Sequence, residues 1–261
     1  MSRAARGIRP AATALLAALL LAGCVTTGGS QREPDRREAA RANTQLGAGY
    51  IRNGNDEEAR KRLERAISLD DRYAPAHATY ALVMARLGED EAADRHFRRA
   101  LSLAPENPDF RNNYGAFLCA RGRPEAAVEQ FLRAGETPGY VGRATALTNA
   151  GLCLRDRDPE RAEPLLRKAL ELDPQNAVAL EQLAWVKYLQ GDLMSTRAFI
   201  QRFERIAEPV PDMLWLAAQT ETALGDEEAA ADYRRRLSRS FPDYEPPQTE
   251  APDPQSAIER P

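Results

Sequence analysis

The residues of this chain that could do chemistry are few: three cysteines, two histidines and a scatter of amides and hydroxyls. Cys24 ends an apolar run, whereas Cys119 and Cys153 lie far inside the chain. A thiol can be acylated, oxidised to a disulfide, or buried as a small apolar side chain. His77 and His96 lack metal-ligand spacing and read as ordinary helix residues, so no metal site is expected. No GxxxxGK[ST], GxSxG, HExxH or CxxC pattern occurs, which leaves catalysis without a foothold and implies no small-molecule substrate. Gln45, Thr79, Asn113, Asn149 and Gln182 are different, because they recur at intervals of 33 to 36 residues. Amides and hydroxyls in such a row can pair with the backbone of an extended peptide while aliphatic neighbours cover its side chains. Asn112 adjoins the row, and Arg52 and Arg86 lie at its edge.

The elements that must position this row are written in the spacing of small residues. Gly54, Gly88 and Gly122 are 34 residues apart, as are Gly191 and Gly225. Ala59, Ala93, Ala127, Ala162, Thr196 and Ala230 keep the same beat with one extra residue before Ala162. Leu63, Phe97, Phe131, Leu166 and Ile200 follow four positions later, and Pro105, Pro174 and Pro242 close the units. A 34-residue period of this kind is the tetratricopeptide (TPR) signature: a small residue lets two helix backbones approach, and a large one fills the space beside it. The fold expected is all-α, about six helix–turn–helix repeats wound into a superhelix over residues 38–244. The first helix of each repeat should line the concave face, with Gln45, Thr79, Asn112, Asn113, Asn149 and Gln182 as the binding groove. Tyr50, Tyr80, Tyr114, Phe97 and Phe131 should be core. Gly135 to Arg143, which holds three glycines and a proline, should distort the link between repeats three and four. Arg234 stands where earlier repeats carry a large apolar residue, as suits a terminal repeat with no successor to cover.

Outside the array the composition changes. Arg3, Arg6 and Arg9 precede the apolar run Ala11 to Ala22, which is too short to span a bilayer as a mature helix and reads as an export signal over residues 1–23. Its end, Leu21-Ala22-Gly23-Cys24, resembles the lipobox of bacterial lipoproteins. That resemblance implies a diacylglyceryl group on the Cys24 sulfur and an acyl chain on its amine, with no other cofactor. Val25 after the cysteine implies transfer to the outer membrane. Residues 24–37 are polar and contain Gly and Pro, as a flexible tether would be, and residues 245–261 read as a disordered tail. Acidic and basic residues nearly cancel, 39 against 36, so no basic excess points to nucleic acid.

Two segments go beyond generic repeat sequence. Asn112-Asn113-Tyr114-Gly115 with Phe117-Leu118-Cys119, and Asn149-Ala150-Gly151-Leu152-Cys153, resemble the PilF/PilW family of type IV pilus biogenesis lipoproteins. Arg98 to Pro105, Ala169 to Pro174 and Phe241-Pro242-Asp243 match as well, whereas Glu136-Thr137-Pro138 departs from the family's Asp-Pro link. The resemblance implies a non-enzymatic pilotin whose partner is the type IV pilus secretin subunit, supporting secretin localisation, multimerisation and twitching motility. The other reading is a different periplasmic TPR adaptor for envelope or outer-membrane protein assembly. In an oxidising periplasm Cys119 and Cys153 could bridge, since first helices of successive repeats lie side by side. The bridge is the favoured reading; the alternative is two small core residues, since they are offset within their helices.

Overall fold

The computed structural model describes residues 35–247. The expected export signal, Cys24, most of the expected tether and most of the expected tail lie outside the described residues, and Arg36 and Arg37, assigned to the tether by sequence, instead open the first helix behind the Asp35 cap. Twelve helices follow one another without a strand among the described residues: α1 (Arg36–Arg52), α2 (Asp56–Leu69), α3 (Ala74–Arg86), α4 (Asp90–Leu103), α5 (Pro108–Ala120), α6 (Pro124–Glu136), α7 (Arg143–Leu154), α8 (Pro159–Leu172), α9 (Ala177–Leu189), α10 (Leu193–Glu204), α11 (Pro211–Leu224) and α12 (Glu227–Ser240). They form six hairpins, each odd helix packed on the even helix that follows it.

Local chemistry sets the ends of these helices. Asn55, Asn107, Asp158, Asn176, Asp192 and Asp226 each accept a hydrogen bond from the backbone N–H three residues on, meeting one orphan donor of a first turn. Between α5 and α6 the chain reverses through Gly122 at φ +70°. A Cβ there would touch nothing within 4 Å, so the left-handed backbone is what requires glycine. Gly115 is glycine for another reason: a Cβ would come within 2.8 Å of the Phe131 ring. The missing side chain lets α5 settle onto α6, with Phe131 filling the crossing.

Odd helices touch the next odd helix along, α1 with α3 and so on to α9 with α11, whereas no two even helices make a comparable contact. A stack whose inner members touch while its outer members splay must curve toward the odd side, so the odd helices form the concave wall. The buried core divides into two large clusters, with a small third one of Ala74, Ala78, Ala100 and Phe110. One large cluster runs from Ala59 to Ala150, and the other, from Val128 to Ala217, meets it around α6–α8. Near that seam lies the link expected to be irregular. Gly139 takes φ +75° and Val141 is 99% exposed. The Tyr140 hydroxyl holds the link by donating to Asp109 at 2.9 Å, and Arg143 Nε donates to the Gly135 carbonyl at 2.9 Å. At the far end α12 buries only Ala230, and Arg234 lies exposed, donating to Thr222 and Glu227.

Candidate peptide-binding groove

The concave wall is best defined where α5, α7 and α9 meet. Asn149 Nδ2 on α7 donates to Asn112 Oδ1 on α5 at 3.0 Å. Further along the same two helices Cys119 and Cys153 are joined in a disulfide, their Cα atoms 5.8 Å apart. One covalent and one amide contact thus fix the register of α5 against α7. Asn113 is half-buried beside this pair, and among the described residues no side-chain hydrogen bond engages it. Its amide keeps donors and an acceptor for a bound backbone. Leu152 and Val178, on α7 and α9, are exposed aliphatic positions.

The remaining members of the row are placed differently. The Thr79 hydroxyl donates back to the Pro75 carbonyl at 2.9 Å, within its own helix. Gln182 is only 4% exposed, and its amide oxygen accepts from Arg155 Nη1 at 2.8 Å. Arg86 turns to Asp56 of α2, an ion pair at 2.9 Å that ties the first hairpin to the second. Gln45 and Arg52 are exposed on α1 and share a shallow concavity with Leu46 and Tyr50, apart from the asparagine pair. The wall therefore brings Asn112 and Asn149 together, with Gln182 one helix further on.

Sequence reasoning missed the groups that follow Gln182. Arg155 lies over the Trp185 ring at 5.6 Å, and Trp185 stacks on Trp215 at 5.7 Å. The signal was available: both tryptophans fall on odd helices, one turn beyond Glu181 and Asp212 respectively. Burial raises the Glu181 carboxyl above its ordinary range and Asp212 adds to the rise, with Arg155 opposing it. Among the described residues no cluster of three or more His, Cys, Asp or Glu could hold a metal, and no helix is long and apolar enough to cross a membrane.

The histidines pair with each other. His77 Nε2 lies 2.9 Å from the Asp71 carbonyl, so that nitrogen carries the proton. Its Nδ1 then accepts from His96 Nδ1 at 2.9 Å. Burial lowers the pKa of both, helped by Arg99 at His77 and by His77 and Arg95 at His96, which falls to about 4; the Asp71 carbonyl and the Asp70 and Asp71 carboxylates oppose the drop at His77. A lowered histidine pKa means the unfolded chain binds more protons below pH 6.5, so stability falls as pH drops from 6.5 toward 4 and is untouched above. With the partial exposure of His96 discounted, the loss at pH 5 is expected to be about 1–2 kcal/mol. Urea unfolding at pH 7 and pH 5 should show this loss reduced in the His77→Gln/His96→Gln variant; an equal loss in both proteins would refute the pairing.

Comparison with known proteins agrees with this architecture. Tetratricopeptide repeat families match residues 40–73, 96–129 and 165–198. The type IV pilus assembly protein PilF of Pseudomonas aeruginosa is 33% identical over 237 residues, covering 89% of this chain and 94% of that protein. The solved structure of Pseudomonas aeruginosa PilF superposes with a TM-score of 0.72 at 30% identity, covering 80% of this chain and 95% of that one. PilW, described as a widely conserved type IV pilus biogenesis factor, gives a TM-score of 0.72 at 29% identity over 84% of this chain and 98% of its own. With a repeat fold throughout and kinship across nearly its whole length, the chain belongs to the PilF/PilW family of type IV pilus assembly TPR proteins.

Proposed function

We propose that this chain is a non-enzymatic assembly factor of the type IV pilus, anchored to the periplasmic face of the outer membrane through acylated Cys24. Its groove holds a segment of the secretin subunit, and the lipid brings that cargo to the membrane where it must multimerise. Kinship to PilF over 89% of the chain carries the pilus assignment. The rigid Asn112–Asn149 pair, with Asn113 unengaged beside it, supports the groove as the binding face. TPR arrays act as scaffolds for other proteins, and this one adds recognition by shape and amide pairing rather than chemistry.

The test is recovery of the secretin by the detergent-solubilised protein, together with secretin multimers on an unboiled gel. The wild-type chain should recover the secretin, and deletion of its gene should cost the multimers. Asn112→Leu/Asn113→Leu should cut recovery about tenfold or more, since buried amide acceptors on the partner lose their donors. Undiminished recovery by that folded variant would move the binding face elsewhere, and no recovery by the wild type would remove the secretin as partner.

A further inference from the structure

The groove's C-terminal half has a chemistry of its own. Glu181 and Trp185 stand one turn apart on α9, and Asp212 and Trp215 one turn apart on α11, so each helix presents a carboxylate and an indole on the same face. The two indoles stack at 5.7 Å with their planes 17° apart, and Tyr188 packs edge-on against both. The Tyr188 hydroxyl is buried and has no hydrogen-bond partner. Three carboxylates and one cation gather here. Arg155 is already engaged by Asp156 at 2.6 and 3.0 Å, and also by Gln182. Asp212 accepts a hydrogen bond from the Tyr244 hydroxyl at 2.6 Å, which leaves its charge in place. No hydrogen bond or ion pair among the described residues engages the half-buried Glu181 carboxylate.

We propose that this part of the wall, with Glu181, Asp212 and the half-buried Trp215 that stacks on the buried Trp185, receives a lysine or arginine side chain of the bound partner. The proposal rests on the groove reading given above and specifies the partner's chemistry there. An aromatic face attracts a cation within about 6 Å of its centre, and a flanking carboxylate fixes the headgroup. An incoming cation would compensate two negative charges that burial now holds close together, and would draw Glu181 back toward ordinary carboxylate behaviour. A neutral or acidic side chain would leave both charges unanswered, so the site selects by sign.

The chain contains two tryptophans, and both are in this cluster, so intrinsic fluorescence reads the site alone. The probes are the peptides acetyl-Gly-Ser-Lys-Ser-Gly-amide and acetyl-Gly-Ser-Arg-Ser-Gly-amide, with norleucine and citrulline versions as neutral controls. The basic peptides should give a saturable change that weakens with added salt, and the neutral ones should bind about tenfold more weakly or not at all. Glu181→Gln, and separately Asp212→Asn, should each weaken the basic peptides about tenfold while circular dichroism and melting stay unchanged. Equal response to neutral peptides, no response to any, or full binding by both folded variants would overturn the proposal. Secretin recovery by the wild type separates the two readings. If recovery stands while the peptides fail, only the cation site falls; if recovery is absent, the groove's partner assignment fails by itself.

Discussion

A chain exported with a conventional cleavable secretory signal in place of residues 1–24, and so lacking Cys24, is expected to leave the membrane fraction almost completely. Among the described residues no helix can cross a bilayer, and a formal charge of −3 gives no attraction to anionic lipid. Each buried methylene of an acyl chain contributes about 0.8 kcal/mol, so one chain anchors marginally and two or three hold firmly. Loss of the lipid should therefore be close to all-or-none in fractionation followed by immunoblotting. On the proposed function the array should still fold and still bind secretin in solution, since the replaced residues 1–24 precede α1, which begins at Arg36. On that same proposal, secretin multimers in cells should fall to the level of the gene deletion, since the chain would no longer reach the membrane. An unlipidated chain that still sediments with the outer membrane, or that restores multimers fully, would sink the anchoring role.

The repeat architecture was legible because it is written in residues whose roles are steric. Gly122 must take a positive φ, and Gly54, Gly88, Gly191 and Gly225 stand at the same turn; Gly115 must lack a Cβ where Phe131 crosses, and its counterparts are Gly47 and Gly151 or the small Ala81, Ala184 and Ala218. The site was less legible because sequence-equivalent positions on neighbouring inner helices do not face each other. Asn113 and Asn149 share a register, yet it is Asn112 that meets Asn149. Cys119 meets Cys153 two residues out of register in the opposite sense, counted from Gly115 and Gly151, which is why the sequence favoured a bridge and still left core thiols as the alternative. Partners outside the period were hidden too. Thr79 turns to its own helix, Arg86 to Asp56, and Gln182 to Arg155, a residue with no repeat signature. Trp185 is core, at 6% exposed, and the half-buried Trp215 stacked on it escaped because an aromatic on a repeat helix reads as core until its neighbours are known to be carboxylates.

The Cys119–Cys153 disulfide is more than a local staple. Repeat arrays hold together through nearest-neighbour interfaces, so their weakest junction sets how far unfolding can spread as one unit. Here the two large core clusters meet at α6–α8, beside the irregular Gly135–Arg143 link, and the disulfide crosses from α5 to α7 at that place. Closing a loop of 34 residues in the unfolded chain is expected to contribute about 3–4 kcal/mol in the chain-entropy account. Cys119→Ser/Cys153→Ser should lose about that much in urea unfolding. Its transition should also broaden as repeats one to three separate from repeats four to six, and hydrogen exchange should quicken most in α5 and α7. Reductant should reproduce the loss in the wild type and do nothing to the variant. The groove should suffer with the junction: once α5 and α7 can slip, the Asn112–Asn149 pair no longer holds one register, so secretin recovery should fall even where the array stays folded. Identical unfolding curves with and without reductant would show that packing alone fixes this junction and that the sulfurs add nothing to it.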